Sequence, residues 1–223
     1  MTDRPDPRDN ELLSRWARLL PDSPDLGAEL LAAYAEPTRH YHDLDHLRTV
    51  LDTVAALADQ AADPMLVELA GWFHDAAYDV HRQDNEEQSA QLAESTLHQA
   101  GLTPEQVAEV ARLVRLTACH DAAGPDSNGA VLCDADLSIL ASDPVGYAVY
   151  VRAVRQEYAH VSEEEWRIGR SAVLEQLLGL PALFRTTTGA GWEPAARDNL
   201  RTELASLEGQ AHHRTRAVTI EPT

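Results

Sequence analysis

The chain has 223 residues, 44% hydrophobic and 25% charged, enough for one domain with a full apolar core and no need of disulfides or a structural metal. Its 37 acidic residues outnumber its 18 basic ones, all of them Arg, for a net charge of −19, which disfavours bulk nucleic acid and anionic lipid as partners. Cys119 and Cys133, without CxxC spacing, argue against a disulfide scaffold or a zinc ribbon and suit a reducing cytoplasm, and with no leader-like N-terminus a cytoplasmic protein is expected.

In chain order, residues 1–10 read as a disordered arm, 11–207 as a helical domain and 208–223 as a frayed tail. Leu12, Leu13, Trp16, Leu19, Leu20, Leu30 and Leu31 are helically spaced, with a break at Pro21–Pro24. Leu47, Val50, Leu51, Val54 and Leu57 repeat with a 3.6 period and predict a helix from Asp45 to about Gln60. Pro64 suits the first turn of a helix that ends near His74-Asp75. The next spans Glu86 to Ala100 and is closed by Gly101. Thr103-Pro104-Glu105-Gln106 then starts one that reaches about Ala118. Gly124 to Gly129 reads as a loop. Val131 to Leu140 is apolar except at Asp134 and Asp136. Asp143-Pro144 opens a helix through Tyr158, Ser162 and Glu165 cap another that ends at Gly179, and Arg197 to Leu207 makes the last. With no alternating strand pattern, the fold class is all-α, a single bundle of about eight helices. No run is long enough to span a membrane.

His and carboxylate side chains are unevenly placed. They gather in Arg39-His40-Tyr41-His42-Asp43-Leu44-Asp45-His46, Phe73-His74-Asp75, His120-Asp121 and Asp134-Ala135-Asp136. Imidazole and carboxylate are ligand types for divalent transition metals. His42 and His46 are four apart and can share a helix face. His74-Asp75 ends an apolar helix, and Asp134 and Asp136 interrupt an apolar run, where an unpaired carboxylate is costly. Each feature alone has a plain structural explanation: surface His, a helix cap, a chance His-Asp pair. Three interrupted apolar runs that all supply metal-type ligands point to a shared purpose.

The ordered set His46, His74-Asp75, Asp136 resembles the H…HD…D signature of the HD-domain superfamily of metal-dependent phosphohydrolases. The contexts His46-Leu-Arg-Thr-Val, Ala70-Gly-Trp-Phe-His-Asp and Ala135-Asp136-Leu137 extend the likeness. Longer stretches, among them Phe73-His-Asp-Ala-Ala-Tyr-Asp and Asp84-Asn-Glu-Glu-Gln-Ser-Ala, are similar to a branch described as predicted metal-dependent HD phosphohydrolases. The resemblance covers residues 11 to 207. It implies an HD-type helical bundle in which His46, His74, Asp75 and Asp136 hold a divalent metal, Mn first and Fe, Co, Ni or Zn as alternatives. It also implies hydrolysis of a small phosphorylated substrate, such as a nucleotide, by metal-bound water.

Other roles are assigned by position. Where several HD hydrolases have a Glu-Asp pair after the motif, this chain has Tyr78-Asp79. Asp79, Glu86 and Glu87 are therefore the candidate proton carriers, although acids also complement the first turn of a helix. Arg39, His42 and His120 are expected at the substrate, with a second metal as an alternative for His120, and Asp134 is expected to orient His46 or His74. Arg152, Arg155 and Arg170 fit structural salt bridges, and His81, His98 and His160 fit the surface. A di-iron oxygenase using extra His ligands and a non-catalytic nucleotide sensor remain open alternatives, as does a homodimer.

Overall fold

Proline and short polar side chains set most of the helix starts. Proline occupies the first turn of six helices, where its fixed φ costs nothing and no N–H is missed. Asp63 and Asp143 accept N–H bonds at N3 of two of them, and Thr103 with Gln106 and Ser162 with Glu165 form reciprocal capping boxes.

The computed structural model describes residues 7–122 and 124–218, with side chains over 10–122 and 124–209. Among these residues there are α-helices and short 3-10 segments and no strand. The helices are α1 (Pro7–Leu19), α2 (Pro24–Tyr34), α3 (Leu44–Ala56), α4 (Pro64–Phe73), α5 (Asn85–Gln99), α6 (Pro104–Leu116), α7 (Ser127–Asp136), α8 (Pro144–Glu157), α9 (Glu163–Gly179) and α10 (Glu193–Val218). Ten helices replace the eight expected. Backbone helix covers Pro7 to Asn10 and continues past Leu207, while residues 1–6, residues 219–223 and the side chains of His212 and His213 lie outside the described residues. No described helix is long and apolar enough to cross a membrane.

The main core joins α3, α4, α6 and α7 through Leu47, Val50, Leu51, Leu69, Phe73, Val110, Val114, Val131 and Leu132, all at most 1% exposed. Trp16 of α1 meets Trp72 of α4 edge-on, with centroids 5.2 Å apart, and donates its indole N–H to the Ser23 carbonyl at 2.8 Å. A Cβ on Gly27 would sit 2.3 Å from that indole, so α2 can lie against Trp16 only with glycine there.

A second apolar cluster gathers Leu137, Leu140, Tyr147, Leu174, Phe184 and Leu200 from the segment after α7 and from α8, α9, α10 and the loop before it. It encloses the buried pair Arg170–Glu203, whose Nε–Oε1 and Nη2–Oε2 contacts are 2.8 and 3.0 Å. Arg155 pairs with Glu163 at 2.6 Å. Salt bridges were expected at both arginines.

Candidate metal centre

The ends of three mutually packed helices meet at one point. His46 lies in the first turn of α3, whose start is fixed by Asp43 accepting the N–H groups of Asp45 and His46. His74 is the residue that caps α4, and Asp75 follows it. Asp136 is the last residue of α7. Packing of α3 on α4 and α7 brings these termini together. The Nε2 atoms of His46 and His74 are 3.0 Å apart. Asp75 Oδ2 lies 3.4 and 3.1 Å from them, and Asp136 Oδ1 lies 3.4 and 3.7 Å from them.

The cluster is oriented from behind. The Nδ1–H of His74 donates to the Gly71 carbonyl at 2.8 Å, which turns the Nε2 lone pair toward the other three residues. The buried Tyr34 hydroxyl donates to the Trp72 carbonyl at 3.3 Å and accepts the Asp75 N–H at 3.2 Å. Burial lowers the pKa of the His46 imidazole, but hydrogen bonds to Asp136 and Asp75 outweigh it and push the value up to about 10. Burial likewise lowers the His74 imidazole, and Asp75 more than offsets this, so its pKa is raised. Asp75 and Asp136 are held well below the usual carboxylate range despite burial, Asp75 by His74 and His46, Asp136 by His120 and His46. Two largely but not fully buried carboxylates are thus balanced by the imidazoles beside them. Two imidazole nitrogens 3.0 Å apart can share one proton or both face one cation. This mixed nitrogen and oxygen donor set suits a borderline divalent metal such as Mn, Fe, Co, Ni or Zn, and His46, His74 and Asp136 each present a ligand atom within 4.8 Å of the others.

His120 joins the group, with Nε2 2.8 Å from Asp136 Oδ2. Its backbone is left-handed, φ 52°, a conformation uncommon outside glycine and often stored at functional sites. The remaining candidates are placed differently. Arg39 is buried, and its guanidinium donates to the carbonyls of Asp75, Ala76 and His42 at 2.6, 3.1 and 3.2 Å. Instead of presenting a free fork to a substrate, it closes the chain over the end of α4. The His42 Nδ1 is bound to Glu157 Oε2 at 2.7 Å.

Asp134 makes no described contact with His46 or His74. It accepts the backbone N–H groups of Arg185 and Thr186 at 2.8 and 2.9 Å and the Thr186 hydroxyl at 2.7 Å. The groups that meet the cost of burying it are those of the loop before α10, not the imidazoles it was expected to orient. Asp79 is exposed and accepts the His81 N–H at 2.9 Å within its own turn. Glu87 pairs with Arg115 at 2.6 Å across to α6. Glu86 sits in the first turn of α5, where its charge helps raise Tyr158. None of these three acids makes a described contact with the four clustered residues.

Glu157, in the last turn of α8, was not among the residues expected at the site. Its Oε1 accepts the N–H groups of His40, Tyr41 and His42 at 2.8, 2.8 and 2.9 Å. Its Oε2 accepts from the His42 ring and, at 2.9 Å, from the Tyr78 hydroxyl. Burial raises its carboxyl, but the His42 and backbone bonds outweigh this and hold it at about 2. One signal was available: an acid near a helix C-terminus opposes the dipole and calls for compensation elsewhere. Tyr41, tied down in this way, packs its ring 4.8 Å from the His46 ring and 4.7 Å from that of Tyr150. A cavity of about 390 Å³ reaches His46 beside Tyr41, Thr49, Val149 and Tyr150.

No protein-family model matches the chain, and no curated protein or solved structure matches it.

Proposed function

We propose that this protein is a metal-dependent phosphohydrolase of the HD type, a cytoplasmic enzyme that hydrolyses a small phosphorylated substrate such as a nucleotide. The observation that carries the reading is the meeting of His46, His74 and Asp136, with Asp75 against both imidazoles, in the order of the H…HD…D signature and beside a cavity that reaches His46. These four residues would hold the metal, with Mn the first candidate. Once bound, such a metal supplies Lewis acidity toward a phosphoryl oxygen and acidifies a coordinated water.

The chain's own residues supply orientation. Gly71 fixes the His74 ring, Tyr34 holds the Asp75 backbone, and Arg39 ties the Asp75 and Ala76 carbonyls to the loop before α3. Glu157 holds His42 and Tyr78 together beside that loop. A second reading, a di-iron oxygenase, draws on His120 at Asp136 as a further ligand; a coloured iron protein would favour it.

The hydrolase reading is tested by phosphate release from a panel of nucleoside mono-, di- and triphosphates and sugar phosphates with Mn²⁺ or Co²⁺. Turnover of at least one compound by the wild type and none by Asp75→Ala is expected. Silence across the panel from metal-loaded protein would reject it.

A further inference from the structure

A second cavity, of about 440 Å³, lies between α8, α9 and the loop before α3, within the size range of small-molecule sites. Four aromatic side chains line it: Tyr41, Tyr150, Tyr158 and Trp166. Tyr41 and Tyr150 form an edge-to-face pair, and Tyr158 meets Trp166 at 5.9 Å. Flat apolar walls of this kind suit a planar ring, which can stack on them whatever its substituents.

Arg170 supplies the buried donor of the lining, which also includes His42 and Glu165. It is 7% exposed. Its Nε and Nη2 bind Glu203, and Nη2 also donates to the Tyr150 hydroxyl at 3.1 Å. Among the described residues no acceptor takes a hydrogen bond from Nη1, and Arg170 lines the cavity. Because Glu203 already balances the guanidinium charge, the spare donor suits a neutral acceptor better than an anion.

Gly169 gives a means of filling the cavity by substitution. It lies within α9 and lines the same cavity. Glycine in a helix interior is destabilising relative to alanine, yet a Cβ here would meet nothing within 4 Å. Gly169 is exposed at the cavity's edge, and the open space beside it leaves room for a larger side chain that would fill the cavity.

We propose that this cavity binds an uncharged planar ring carrying a carbonyl oxygen, with the ring against Tyr41, Tyr150, Tyr158 and Trp166 and the oxygen on Arg170. Since Tyr41 also touches His46, a ring held there lies one side chain from the clustered ligands. That it belongs to the phosphorylated substrate rests on the proposed function; the binding itself does not.

The test uses Trp166 fluorescence of the full chain, titrated with inosine, with purine riboside (the same ring lacking the carbonyl) and with sodium phosphate. Inosine is expected to quench saturably, purine riboside to bind roughly tenfold more weakly, as the loss of one hydrogen bond predicts, and phosphate to have no effect. W166F should remove the signal. G169L should fold with an unchanged far-UV spectrum, since its Cβ meets no neighbour, and should lose inosine binding. H74A should keep it. No saturable quenching by inosine, or equal quenching in G169L, would overturn the proposal. Inosine binding without phosphate release from any compound of the phosphate panel would sustain the ring site and reject the hydrolase, and phosphate release without ring binding would do the reverse.

Discussion

Asp134 and Asp136 stand two residues apart on α7 and do unrelated work. Asp136 ends the helix beside His46 and His120, whereas Asp134 holds the chain at Arg185 and Thr186. A Cβ on Gly189 would lie 2.2 Å from Asp134 Oδ2, so the loop approaches this carboxylate too closely for any side chain at that position. Asp134→Asn puts an amide donor where three donors converge, and should cost about 1.5–3 kcal/mol in urea unfolding, the range for hydrogen bonds to a charged group. Metal content should stay at the wild-type level; loss of metal at preserved stability would restore the orienting role first expected of it. A carboxylate interrupting Val131–Leu140 was legible as a residue needing partners. Which partners could not be read, because they lie some fifty residues further along the chain. Arg39 hid its role similarly: its acceptors are backbone carbonyls at Asp75 and Ala76, and backbone groups leave no mark in the sequence.

At the scale of elements, the site depends on how closely α3 and α4 approach. Gly71 lies at that contact, where a Cβ would come within 3.2 Å of Leu51 and 3.6 Å of Val50. Gly71→Val should push the helices apart and destabilise by about 1–3 kcal/mol, as overpacking does. Since α3 carries His46 and α4 ends at His74, metal stoichiometry should fall with it. A fully loaded, destabilised variant would show that the cluster does not depend on this contact. Helices with side-chain signals at their starts were readable from sequence, notably α6 from Thr103-Pro104 to Gln106 and α9 from Ser162 to Glu165. The start of α7 was not. Its cap, Asp126, accepts from Gly129 but sits in a Gly- and Pro-bearing stretch that reads as loop. The full length of α10 was also missed, because its distal half is polar and offers no periodic face.

For the whole molecule, the net charge of −19 raises the local concentration of any cation, yet the four clustered residues are set apart by being buried or nearly so. Their ionisation couples metal, proton and stability. The folded metal-free His46 holds its proton up to about pH 10, against an ordinary value of 6.5. That proton stabilises the metal-free fold below pH 6.5, and the contribution is lost as pH rises through 10. A metal ligated at Nε2 must displace it, so apparent metal affinity should rise steadily with pH over this window.

Metal analysis of untagged protein purified without chelator, repeated over pH 6 to 9 and on His74→Ala and Asp75→Ala, tests the account most directly. It predicts near-stoichiometric Mn, Fe, Co, Ni or Zn in the wild type, held more tightly as pH rises and lost from both variants. A folded wild type that takes up none of these metals after reloading, or variants that bind them as well as the wild type does, would contradict it.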